Sequence, residues 1–404
     1  MENKKKLEIN TVICDIRSLT EETLSMYEKL EINAACLVTT PAAQAMLGRF
    51  PVKIDAANTL TLTLEENPRF TQFNGRMKIV PGTAVPEEKT YLMVNGSLDI
   101  EAGSEETLKG YAAIFANGSV TCPKSIAGLL GGILTVNGSL RTYPDGCIRL
   151  KDTAILDRFF HLRVKQNALY YAHKRVVALD PGISFHKLAE KDIRFSTQKL
   201  LVSKDLAEAA VSLFDEQTDI VVLPEGCAYV DGDAELDETL IKRYGNRLYV
   251  AGDLTAGAKA AGVLDQVSFL RVDGDLLVAR ELKERVLEMD VEYGGLYIVG
   301  GTIVSGWANQ TLSAYMLENA EGGLSAVACA HIAIDADVAP EVLREKLVSI
   351  IGCAEVTCAS KEQMDVIKLL ACDASSITLA QQESKDGDEK DTDVVEINTT
   401  HYAF

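Results

Sequence analysis

Aromatic rings are scarce in this sequence. Phe, Tyr and Trp make up 6% of 404 residues and there is 1 Trp, so a core built on large rings is excluded and a narrow one filled by aliphatic and small side chains is expected. Long apolar runs are also missing. None approaches the roughly 18 residues of a membrane span, and the basic start MENKKKLEINTVICDIRS lacks the uninterrupted apolar stretch of a secretion signal, so no membrane is expected and the cytoplasm is the expected location. Positive charge is in deficit, with 40 Lys and Arg against 59 Asp and Glu, a net charge of −19. Nucleic acid is therefore disfavoured as a partner, because such binding relies on cationic surfaces that displace counterions. The nine cysteines are odd in number and form no CxxC pair, which argues against a disulfide framework or a zinc ribbon and for buried free thiols.

Catalytic signatures are missing too. The chain has no GKS or GKT phosphate loop, no GxSxG elbow, no HExxH, and no GxGxxG between a strand and a helix. The triplets Asp231–Asp233 and Asp273–Asp275 lack the further ligands and closing glutamate of a calcium loop. No cofactor and no metal are expected.

What the sequence does contain is a repeat. QFNGRMKI, LMVNGSLDI, IFANGSVTC and LTVNGSLRT carry Gly75, Gly96, Gly118 and Gly138; YVDGDAEL, YVAGDLTA, RVDGDLLV and IVGGTIVS carry Gly232, Gly252, Gly274 and Gly301. Successive spacings are 21, 22 and 20 residues, then 20, 22 and 27. Asn-Gly is a strong hairpin signal, yet a hairpin at Asn95 and Gly96 would set Val94 opposite Ser97 and Leu92 opposite Asp99. A straight strand points Leu92, Val94, Gly96, Leu98 and Ile100 the same way, by the period of two. The glycine is thus expected on the buried face of a continuous strand, where it lets another backbone approach closely. SEETLKGYA, ARELKERVLEMD and APEVLREKLVSI lie between such strands and read as short helices. A fixed period of this size implies an α/β fold, an elongated repeat solenoid of short parallel strands and short helices with a period of about 21 residues. One strand plus one short helix per repeat resembles the unit of leucine-rich repeats, although their consensus asparagine is not met. The LxVxGxL strands also resemble the β-solenoid of bactofilin-type, polymer-forming cytoskeletal proteins, whose repeats normally lack helices.

The expected organisation is a first solenoid half over 1–148, a basic irregular connection over 149–200, and a second half over 201–380. A disordered acidic linker over 381–393 and a β-prone segment over 394–404 follow. LVTTPAAQAML from Leu37 can be laid over LVSKDLAEAAVSL from Leu201, which suggests an internal duplication. Residues 149–200 hold 11 Lys or Arg against 5 Asp or Glu. There Arg158, Arg163, Lys165, Lys174 and Arg175 interleave with Phe159, Phe160, Tyr170 and Tyr171, a pattern that suits docking onto an acidic surface of the same protein, by structural packing or self-association. The same residues suit single-stranded nucleic acid as an alternative. A further alternative is an enzyme site around His161, Tyr171, His173 and Lys174. The last segment, with Tyr402 and Phe404, is expected to fold back or cross to a neighbour and add a strand. The function that these features favour is a non-enzymatic scaffold whose partner is another protein or a second copy of itself.

Overall fold

The structure, a computed structural model, describes residues 5–380 and 394–404. The expected acidic linker over 381–393 lies outside the described residues. The chain is a mixed α/β protein of many short parallel strands in small sheets with short helices, compatible with a repeat α/β architecture. Two compact units divide it: one takes the residues up to Cys147 together with the segment from 394 onwards, and the other starts at Ile148. Among the described residues no helix is long and apolar enough to cross a membrane.

In the first unit, β1 (Lys5–Asp15), β2 (Tyr27–Thr39) and β3 (Val52–Thr61) pair in parallel. β4 (Arg69–Ile79), β5 (Thr90–Ile100), β6 (Tyr111–Pro123) and β7 (Leu134–Tyr143) form a second parallel sheet. Sequence dictates the crossovers: Thr40 accepts a hydrogen bond from the Ala43 amide at 3.0 Å and Pro41 starts the helix Pro41–Leu47, as N-cap chemistry requires. The apolar columns face inward, with Leu92, Val94, Leu98, Ile100 and Ile114 all in one buried cluster. Each such side chain is worth about 1.5–3 kcal/mol of burial. Met93 and Phe115 point the other way and meet Ile13, Cys36 and Val38 in another cluster, which joins the two sheets of this unit.

In the second unit, β8 (Ile148–Arg149) and β9 (Thr153–Ile155) both pair with β10 (Leu169–Ala178), followed by β11 (Arg194–Ser203) and β12 (Asp219–Leu223). The stretch expected as an irregular connection therefore carries two ten-residue strands, and the expected boundary at 200/201 falls inside β11. Beyond it the strands come in short pairs. β13 (Ala228–Val230), β15 (Arg247–Val250), β17 (Phe269–Val272) and β19 (Val291–Glu292) make one sheet. β14 (Ala234–Glu235), β16 (Leu254–Ala256), β18 (Asp275–Ala279) and β20 (Gly295–Val299) make its companion. Leu248, Val250, Leu254, Leu270, Val272, Leu276 and Val278 fill the core they share. The pattern repeats with β21 (Thr302–Ser305), β23 (Leu324–Val327), β25 (Leu347–Ile351) and β27 (Ala371–Cys372) beside β22 (Asn309–Leu312), β24 (His331–Ile334), β26 (Glu355–Cys358) and β28 (Ser376–Leu379). Buried Gln363 ties this region together: its amide donates to the carbonyls of Asp335 and Val338 at 2.9 and 2.8 Å, and its oxygen accepts from the Ala359 amide at 2.8 Å.

The repeat glycines behave differently in the two units. Gly75, Gly96, Gly118 and Gly138 align as one column inside continuous strands, so the apolar phase passes through them as expected. They are not on a flat face, however. Their φ values are +109, +139, +142 and +146°, a region L side chains rarely adopt. A Cβ at Gly118 would lie 2.0 Å from the Gly96 carbonyl oxygen, so it would run into the neighbouring strand rather than into the core. In the second unit the continuous-strand expectation fails. Gly232 and Gly252 fall between β13 and β14 and between β15 and β16, Gly274 between β17 and β18, and Gly301 between β20 and β21. There Asp233 Oδ1 accepts from the Asp253 amide at 2.9 Å and Asp253 Oδ1 from the Asp275 amide at 2.8 Å. The carboxylate replaces a ladder bond, and the strand ends.

The last strand, β29 (Val394–Ala403), returns to the first unit and pairs with β1, giving the order β29-β1-β2-β3.

Candidate functional site

β10 carries most of the singled-out central residues. Its even positions Tyr170, Ala172, Val176 and Ala178 are buried in one core. Lys174 has the same parity, but a register shift against β11 between Ala172 and Arg175 turns it outward, as a bulge does. The Lys174 and Arg175 amides both donate to the Asp152 carbonyl, at 2.8 and 3.0 Å. Phe160 and Tyr170 meet edge-on at 5.5 Å, and both contact Phe195 at 6.0 Å. These rings are core, leaving Phe159, 59% exposed, as the outward ring of that pair.

The basic residues divide in the same way. Arg158 grips Asp180 with two bonds of 3.0 and 2.9 Å, and that guanidinium holds the Asp180 carboxyl below the usual carboxylate range. Arg163 pairs with Asp157 at 2.8 Å and lies 5.9 Å above the Phe160 ring. Arg175 reaches Asp273 at 2.7 Å, and Lys199 reaches the same carboxylate at 3.4 Å. Burial alone would raise Asp273. The facing Tyr249 hydroxyl and the charges of Lys199 and Arg175 outweigh it and hold the carboxyl low. Burial, with the Asp273 charge behind it, pushes the Tyr249 hydroxyl up. Lys165 and Lys174 are exposed, as are the paired Arg158 and Arg163; the Lys165 amide takes the Tyr170 hydroxyl as acceptor at 3.0 Å. The segment therefore does not present the alternating row of free rings and cations that its sequence suggests.

For an enzyme, the relevant group is Tyr171 and His173, whose hydroxyl and Nδ1 are 3.0 Å apart on β10. His161 sits on the helix Phe160–Arg163 with its Nδ1 enclosed and unpartnered, and its carbonyl accepts from Lys191 Nζ at 2.7 Å. Lys174 points away from the core. An open groove of about 780 Å³ lies elsewhere in the unit, lined among others by Asp233, Glu235, Lys259, Glu281 and Glu321. Among the described residues no group of three His, Cys, Asp or Glu is placed to hold a metal.

Comparison of the chain with protein-family models, with curated proteins and with solved structures returned no match.

The remaining singled-out residues lie on β29. Tyr402 and Phe404 pack edge to face at 5.0 Å and join Ile397 against the core of the β1–β3 sheet. Register with β1 runs without a shift from Lys6 opposite Val394 to Asp15 opposite Ala403. One signal for this contact was present in the sequence and passes unnoticed when glycines are used as markers. Leu7-Glu8-Ile9-Asn10-Thr11 recurs as Leu30-Glu31-Ile32-Asn33-Ala34 and as Val395-Glu396-Ile397-Asn398-Thr399. The structure stacks these words column on column: Ile397, Ile9, Ile32 and Ile54 align, as do Asn398, Asn10, Asn33 and Asp55. Asn33 donates to Asn10 at 2.8 Å, and Asn10 to Glu396 at 3.4 Å. The β4–β7 sheet uses the same device, Asn95 donating to Asn74 at 3.0 Å and Asn117 to Asn95 at 2.9 Å.

Proposed function

We propose that this protein is a non-enzymatic scaffold, a repeat solenoid in each unit, that recruits protein partners, a second copy included, by parallel strand addition at its sheet edges. The observation that carries this reading is β29, a strand that arrives from across the sequence and is accepted by the β1 edge in full register. Main-chain hydrogen bonds supply affinity in such pairing and alternate side chains supply selectivity. The outer edges differ in protection. β4 carries Arg69, Arg76 and Lys78, the charges that discourage edge pairing, whereas β7 carries Arg141 alone and β29 only Glu396 and His401. The lightly charged edges are the ones that suit a partner strand. Light scattering over a concentration series tests the reading. Growth from monomer to a defined larger species is expected, and a strict monomer at every concentration that also captures no partner would sink it.

A further inference from the structure

The strand that completes the first unit's β1–β3 sheet comes from beyond the second unit in sequence: its nearest described neighbour, β28, belongs to the other unit. It can leave without disturbing the order β1-β2-β3 or the sheet β4–β7. Its hold is modest in side-chain terms: Ile397, Tyr402 and Phe404 pack against the core, while Val394 is 56% exposed and Glu396, Asn398, Thr399 and Thr400 are exposed as well. Its word Glu-Ile-Asn-Thr is identical to residues 8–11 on the strand that receives it. We propose that β29 is exchangeable, and that the β1 edge of one chain accepts the β29 of a second copy in a reciprocal dimer. The proposal rests on the scaffold reading above and names its partner.

The physical case is one of equivalence. Every contact of β29 with β1, from the Ile397–Ile9 column to the Asn10–Glu396 bond, can be made by a strand from either chain, so exchange forfeits no contact. Such swapping of an identical element is a low-cost route to a dimer. Reciprocity leaves neither β1 edge bare, which a one-way donation would not. Mass action then governs the balance, and concentrated protein favours the exchanged form.

Positions 11 and 399 face each other across the two strands, and their hydroxyls each bond within their own strand, to the Ile13 and His401 carbonyls at 3.1 and 3.2 Å. Full-length Thr11→Cys and Thr399→Cys chains, mixed and oxidised, report exchange, with the parent chain as the background from native thiols. The expected result is a disulfide heterodimer joining positions 11 and 399, rising several-fold for a roughly tenfold increase in total protein. The double variant in one chain completes the test. If it links only within the chain while the mixture yields no heterodimer, exchange is overturned. If the double variant does not link at all, the β29–β1 pairing itself is overturned. Light scattering on the double variant locked within its own chain separates the two readings. A locked monomer is the expected result; a locked chain that still associates overturns β29 exchange and leaves the scaffold reading standing on another edge. Should the substituted chains fail to fold, heavy- and light-isotope parent chains are mixed and weighed by native mass spectrometry. Hybrid dimers that vanish with Ile397→Asp support exchange, and unmixed monomers overturn it.

Discussion

The two units solve one problem in different ways. Each must pass its backbone through a glycine column while keeping the apolar side chains on either side in the same core. In the first unit an asparagine precedes the glycine, and Asn95 and Asn117 each donate to the equivalent asparagine on the preceding strand. The backbone ladder continues past the glycine at positive φ, so β5 and β6 run for 11 and 13 residues. In the second unit an aspartate follows Gly232, Gly252 and Gly274, and the carboxylates of Asp233 and Asp253 take the backbone amides of Asp253 and Asp275. The ladder is cut there, and one long strand becomes two short ones. What differs is where one hydrogen bond goes: side chain to side chain preserves the ladder, side chain to backbone ends it.

The comparison can be broken most severely at the glycines. Gly118→Ala adds a Cβ 2.0 Å from the Gly96 carbonyl oxygen at φ +142°, where steric overlap and backbone strain act together. A loss of about 4 kcal/mol is expected, read as a large fall in the urea midpoint of the first unit. Gly274→Ala meets the Asp253 carboxylate and the Gly252 backbone at 2.3 and 2.7 Å without a positive φ, and a smaller loss of about 2 kcal/mol is expected. Gly128, in the helix Lys124–Leu130 with open space around it, is the control. Its replacement by Ala should raise stability by about 0.5–1 kcal/mol. If Gly118 and Gly274 cost the same, the positive-φ column has no special role.

The side-chain ladders offer a finer test. Asn95→Asp keeps the acceptor used by Asn117 but deletes the donor to Asn74, and it should cost about 2 kcal/mol. Asp253→Asn keeps an oxygen for the Asp275 amide and should cost about 0.5–1 kcal/mol. Equal losses from chemical denaturation of the two variants would erase the distinction between the units.

The smallest expected effect is a dependence on pH. Asp273 is held below the ordinary aspartate range in the folded chain. Its contribution is therefore fully present above the unfolded pKa of about 3.9 and is lost as pH falls through the lower folded value. Asp273→Asn should flatten that part of the acid-unfolding curve of the second unit, at a cost near neutral pH of about 2 kcal/mol or less. An unchanged acid limb would show that Arg175 and Lys199 do not depend on this carboxylate.

Much of the strand content is legible because a period of two is printed in the residues. Leu92, Val94, Leu98 and Ile100 could be assigned to one face without coordinates, and the helix Pro340–Lys346 begins at its proline as expected. The split at Asp253 is not legible in that way. Apolar phase is the same whether a carboxylate or a carbonyl receives the next amide, so phase alone cannot see where a strand ends. The central basic segment is legible only in part for a related reason. Composition counts Phe160, Tyr170, Arg158 and Arg175 as available, but the rings are core and Asp180 and Asp273 hold the guanidinium groups. Those partners lie 22 and 98 residues away from their arginines. The β29 contact was readable from the Glu-Ile-Asn word, yet a search keyed to glycine spacing passes over a match 388 residues apart.

The position of β29 also sets a timetable for the molecule's birth. β1 leaves the ribosome well before its partner, because the strand that covers its edge is made nearly four hundred residues later. At roughly 5–20 residues per second, that edge waits some tens of seconds in a crowded cell. During that interval a neighbouring nascent chain or a chaperone competes for the place, and the sheet begun by β1 is closed only after β4–β28 have been made.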